Sequence, residues 1–161
     1  MADLQTITGL KELQAALKEL PDRIAKNVLR GAVNAGATLI KKEAANRAPV
    51  YTGPVSAGHP PPGTLKRSVY QKQIRDLSNK VKQTFYVGVR KGKEFRKQGK
   101  SGNLSQDAYY ARFVEFGTAK MPAKPFLRPA FEAKKEEATN AIKAYLEKRI
   151  PEEVAKLAIK K

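Results

Sequence analysis

The chain has 161 residues, 41% of them hydrophobic, no cysteine, and 32 Lys+Arg against 15 Asp+Glu for a formal net charge of +17. That length predicts one domain, residues 1–161, able to bury a core without crosslinks. The missing cysteines exclude disulfides, thiolate metal sites and thiol nucleophiles, and fit a reducing cytoplasm.

The N-terminal MADLQTITGL lacks the basic-then-apolar pattern of a signal peptide, and no stretch approaches the ~20 apolar residues that span a bilayer, so a soluble chain is expected. In residues 9–20, Leu10, Leu13, Leu17 and Leu20 make one helical stripe, with Thr8 as candidate N-cap and Pro21 ending it. A second helix is predicted from about Asp22 to Arg47, with Ile24, Val28, Ala32, Ala35 and Leu39 on one face. Its small centre, Gly31 to Ala37, predicts close approach of another backbone, either a sheet or a neighbouring subunit, because helical glycine costs up to ~1 kcal/mol.

Pro49 stops that helix, and the proline- and glycine-rich residues 49–63 read as a flexible loop. Two strands follow, about Leu65–Ile74 and Lys80–Arg90, joined by a hairpin turn over Arg75–Asn79. Val81, Gln83, Phe85, Val87 and Val89 share one face of the second strand. Residues 91–106, basic and nearly without apolar content, read as a second flexible loop. Tyr109, Phe113 and Phe116 fit a short helix running into Gly117, with Asp107 as candidate cap. After a turn, a last helix runs from about Arg128–Pro129 to Lys148; Pro151 breaks it, and residues 152–160 have room for one more turn or two. Its apolar side is Ala130, Phe131, Ala138, Ile142, Tyr145 and Leu146. The expected class is α+β: a small antiparallel sheet packed against a long N-terminal helix and a C-terminal helix.

Charge is concentrated in the middle. Residues 49–131 carry 16 basic and 4 acidic side chains. The densest stretch holds Arg90, Lys91, Lys93, Arg96, Lys97 and Lys100 with a single Glu94. Such a segment attracts either a phosphate backbone or an acidic protein surface. With Phe95 as its one aromatic residue, base-specific readout is not expected.

Catalytic chemistry has little to stand on. The one histidine, His59 in GHPPPG, has no partners at metal-ligand or triad spacing and reads as an exposed loop residue. No phosphate-binding loop is present. Glu115, among Phe113, Val114, Phe116 and Gly117, is expected to be partly buried and ion-paired with Arg112 or Arg128. No catalytic residue, metal or cofactor is predicted. A stand-alone nucleic-acid-binding protein is the alternative that charge alone supports, and a nuclease would need clustered acids or histidines.

The order of short motifs is more specific than any one of them. APVYTG (48–53) is followed by GTLKRSV (63–69), YVGV (86–89), YYARFVEFGT (109–118) and KPFLRPAFE (124–132). This order resembles the gp-ten-like tail-component family of HK-type siphophages, over about Gly9 to Tyr145. The matching positions are Pro49, Thr52, Gly53, Leu65, Lys66 and Ser68; Tyr110, Ala111, Glu115, Phe116, Gly117 and Thr118; and Pro125, Phe126, Leu127, Arg128, Pro129 and Ala130. Pro54–Pro62 departs from the pattern, as an insertion between the two halves of the first motif. The resemblance implies a non-enzymatic virion protein of the neck or tail top, assembled in the host cytoplasm. It implies a ring, six-fold in expectation, that contacts tail-terminator and head-completion or connector proteins. Incidental contact with genomic DNA fits such a ring, and a monomer fits the free state.

Overall fold

The computed structural model describes residues 14, 15, 17, 18, 20–53, 60–90 and 108–159. In chain order the elements are helix α1 (Asp22–Arg47), the short helix α2 (Thr64–Ser68), strand β1 (Val69–Gln73), a 3-10 turn (Arg75–Leu77), strand β2 (Phe85–Val89), the short helix α3 (Ala111–Phe116) and the long helix α4 (Leu127–Ile159). The class is α+β, as the residue pattern predicts.

Helix α1 has the predicted bounds. Its first turn is closed by the Pro21 carbonyl, which accepts the N–H groups of Ile24 (2.8 Å) and Ala25 (3.0 Å). Asp22 in the first turn and Arg47 in the last complement the helix dipole. Before it, residues 14, 15, 17 and 18 are helical, while Thr8, Leu10 and Leu13 lie outside the described residues.

The strands pair as an antiparallel hairpin. The Ile74 N–H donates to Thr84 O (2.9 Å) and the Arg90 N–H to Ser68 O (3.0 Å), so residue i faces residue 158 − i. Both strands are shorter than predicted. The first loses its start to α2, where Thr64, Leu65 and Ser68 are buried on one helical face. The second starts at Phe85 because Asn79 ties up the chain before it: its Oδ1 accepts the N–H groups of Val81 (2.9 Å) and Lys82 (2.8 Å). Such a side-chain-closed turn competes directly with strand pairing.

Helix α4 begins near the predicted position and runs through Pro151 to Ile159 instead of breaking there. Proline removes one backbone donor. Arg149 spans the gap, bonding Glu152 (2.6 Å) and Glu153 (3.1 Å), and Ile150 is buried.

The backbone groups into two compact units, one of Met1–Gly36, Gln73–Phe85 and Glu137–Lys161, the other of Ala37–Lys72 and Tyr86–Glu136. The first has a core of Val28, Ala32, Leu146 and Ile150, flanked by Leu17, Ile24, Ile142 and Tyr145. Here the small centre of α1 finds its partner. A Cβ on Gly36 would stand 2.9 Å from the Ile142 side chain and 3.0 Å from the Ala138 carbonyl, and one on Gly31 would enter the Tyr145 ring. The close approach comes from α4, neither a sheet nor a second subunit. The other unit has a core of Ala48, Leu65, Ala108, Ala111 and Phe126, with Val69, Val89, Tyr110, Val114 and Leu127 packed against it. In that unit Gln71 of β1 bonds Thr38 of α1 (3.0 Å), seating the hairpin on the helix.

Candidate functional site

The motif residues converge in the second unit, and each has a local physical reason. Helix α1 ends with Ala48 in the core and its N–H on Ala44 O (3.0 Å), and Pro49 then turns the chain out. Gly63, at φ 77°, opens α2 from the left-handed region that favours glycine. The Thr64 hydroxyl donates to Pro61 O (2.6 Å) and the Arg67 guanidinium to Pro62 O (3.0 Å). That turn sinks Leu65 and Ser68 while Lys66 stays exposed.

The last two motifs form one device. Helix α3 ends at Gly117, whose φ of 75° and ψ of −179° belong essentially to glycine alone. Thr118 and Met121 pair as an antiparallel bridge, and the Lys124 N–H returns to Val114 O (2.8 Å). The chain is then in place for Glu115. Its Oε2 accepts the N–H groups of Phe126 (2.8 Å) and Leu127 (3.0 Å), and its Oε1 that of Arg128 (3.1 Å). Pro129 has no N–H, and Ala130 bonds the Phe126 carbonyl (3.2 Å). The donors that a helix start leaves unsatisfied are thus all accounted for, by a residue eleven to thirteen positions upstream. This corrects the expected ion pair: Glu115 is half-buried as predicted, but Arg128 offers its backbone N–H, and its side chain is exposed. Below this turn, Phe126 and Ala130 are fully buried and Leu127 half-buried, while Pro125 stays exposed.

Above the turn lies an open groove of about 620 Å³. One wall is Pro49, Val50, Tyr51, Thr52 and Gly53; the other is Tyr109, Tyr110, Phe113, Val114, Thr118, Met121 and Lys124. The APVYTG and YYARFVEFGT segments therefore meet, although some 60 residues separate them. Tyr109 and Tyr110 cross edge to face at 5.5 Å. Burial of the Tyr110 phenol is the main force raising its pKa above the usual 10.0, opposed by a backbone hydrogen bond from Leu65. Tyr109 (58%), Phe113 (50%) and Phe116 (70%) are exposed, whereas Ala111 and Val114 turn to the core. Sequence reasoning placed those three aromatic residues on a helix but not the groove. The available signal was their density, since a six-residue helix cannot bury Phe113 and Phe116, with Tyr109 just before it, while also burying Ala111.

Of the predicted basic contacts, Arg90 is described. It closes β2 and places its guanidinium 5.5 Å from the centroid of Tyr70, whose ring meets Tyr86 edge to face at 6.1 Å. Lys91, Lys93, Arg96, Lys97, Lys100, His59 and Asp107 lie outside the described residues. Among the described residues, no group of three or more His, Cys, Asp or Glu side chains could hold a metal ion, and no helix is long and apolar enough to cross a membrane.

A family model described as "Bacteriophage HK97-gp10, putative tail-component" matches residues 11–117, about two thirds of the chain. The match starts before α1, runs through α3 and ends at Gly117, so the PFLRPA segment and α4 lie beyond it. No curated protein and no solved structure matches the chain.

Proposed function

Since this chain belongs to the HK97-gp10-like family of bacteriophage tail components, we propose that it is a structural subunit of the neck or tail top. It completes the tail and joins it to the head as one copy in a ring, without a catalytic role. The observation that carries this reading is the family match over residues 11–117, which includes both walls of the groove up to Gly117. The motif residues support it by their work: Leu65, Ser68, Ala111 and Phe126 build a core, and Glu115 and Gly117 build a turn. The partners are tail-terminator and head-completion or connector proteins, and six copies are the expected ring. Arg90 and the basic residues after it in the sequence supply positive charge that would attract an acidic partner, or DNA passing the ring. The family match favours a tail component over a stand-alone nucleic-acid-binding protein.

The test is assembly on the natural substrate. Tail tubes from a phage carrying a stop codon in this gene are incubated with the purified protein, imaged by negative stain and mixed with filled heads. The protein should occupy one tube end as a ring and restore head joining. Tubes that join heads equally well without it would overturn the proposal.

A further inference from the structure

We propose that the groove between residues 49–53 and 109–124 is a docking site for an apolar segment flanked by acidic residues, supplied by a partner protein. The inference rests on the tail-subunit reading only in making that partner a virion protein; the chemistry comes from the groove itself.

Three observations carry it. Val50 (49%), Tyr51 (46%), Tyr109 (58%) and Phe113 (50%) are large apolar side chains left in water around one concavity. A contiguous exposed patch of this kind commonly marks an interaction surface. The volume of about 620 Å³ suits one or two large side chains with their backbone.

Among the described residues, Lys124 is the only charged one lining the groove, and Arg112, Lys120 and Arg128 are exposed on the same stretch of chain. Across residues 108–131 the sole acid is Glu115, and its carboxylate is engaged by three backbone N–H groups on the inner side of the turn. The groove thus offers apolar walls with the Lys124 ammonium among them and further basic side chains on the same stretch of chain. A complementary occupant places aromatic or aliphatic side chains in the groove and carboxylates at its edge. A second copy of this chain is the weaker fit at this groove, because its 15 acidic side chains are mostly interleaved with 32 basic ones.

The test uses the full-length protein and three fluorescein-labelled peptides in an anisotropy titration. The probe is Asp-Glu-Leu-Phe-Glu-Asp. One control keeps the acids and replaces the apolar pair, Asp-Glu-Ser-Gly-Glu-Asp. The other reverses the charge, Lys-Arg-Leu-Phe-Arg-Lys. The probe should bind about tenfold tighter than either control. Phe113→Ser, at a half-exposed position, and Lys124→Glu, in a loop, should each remove that advantage, with helical circular dichroism unchanged. Lys26→Glu, an exposed site on α1 outside the groove, makes the same charge change and should leave the advantage intact. Equal binding of the Ser-Gly control, equal losses in Lys26→Glu and Lys124→Glu, or no binding of the probe would overturn the inference. So would dimerisation in light scattering that Phe113→Ser abolishes, which would make a second copy the occupant. A protein that joins heads to tails but binds no probe loses this inference alone; one that binds the probe but leaves head joining unchanged loses only the assembly role.

Discussion

The Glu115 carboxylate accepts the Phe126 N–H at 2.8 Å and so caps a 33-residue helix from a different helix. Local caps come from the residue beside the helix start. Here Phe126 occupies that place and is needed in the core, fully buried beside Leu65. The capping oxygen therefore arrives through the tertiary fold, brought by the turn at Gly117.

Replacing Glu115 by alanine should cost about 2 kcal/mol, from the loss of a charged acceptor shared by three N–H groups. Glutamine should recover about half, because one amide oxygen can still accept from Phe126 and Leu127 while its NH2 opposes the Arg128 N–H. Thermal melting should show drops of about 4–8 °C for alanine and a smaller one for glutamine. A Glu115→Ala protein that melts like the parent would remove the capping role.

Gly117→Ala should be destabilising by about 1–3 kcal/mol from backbone conformation alone. Its Cβ would also stand 2.9 Å from Ala123 N and 3.0 Å from Met121 O, both backbone atoms with little room to yield. Since Gly117 positions Glu115, the double variant Gly117→Ala/Glu115→Ala should lose less than the two single losses added. Strict additivity in urea melts would show that the turn and the cap act separately.

Two phenylalanines of neighbouring motifs should behave in opposite ways. Phe126→Ala empties a fully buried site and should cost about 3–5 kcal/mol. Phe116→Ala removes a ring that is 70% exposed and should shift stability by no more than about 0.5 kcal/mol. Equal losses by chemical denaturation would contradict the burial difference.

Pro151 lies inside α4, so Pro151→Ala restores a helix donor and should stabilise the chain, by up to about 3 kcal/mol. The gain should appear as a higher denaturant midpoint with an unchanged slope. A fall in stability would mean that the helix there depends on the proline.

The raised pKa of Tyr110 makes a contribution that is fully present below pH 10.0, the ordinary phenol value, and is lost as pH rises through the folded-state value. The sign follows from burial, which disfavours the phenolate in the folded chain relative to the unfolded one. Phe at this position should flatten the loss of stability above pH 10, and difference absorbance near 295 nm should lose one late-titrating phenol. An unchanged alkaline slope would assign that loss to other groups.

Much of this protein was legible in its residues. The stripe from Ile24 to Leu39 and the stop at Pro49 set the bounds of α1, and the alternation of Phe85, Val87 and Val89 set β2. The ordered motifs pointed to the family that the match over residues 11–117 shows. These features are local: a period, a breaker or a short string states them completely. The rest depended on residues far apart in the chain. Whether Pro151 ends a helix turned on Arg149 and the burial of Ile150; whether Gly36 met a sheet or a helix turned on Ala138 and Ile142. Glu115 lies near two arginines in sequence, but its oxygens go to backbone N–H groups that only the folded turn presents. The groove arises because residues 49–53 and 109–124 meet across the fold, leaving aromatic rings in water that a helical period alone would have assigned to the core. Periodicity names the element, while the face it buries is set by what packs against it.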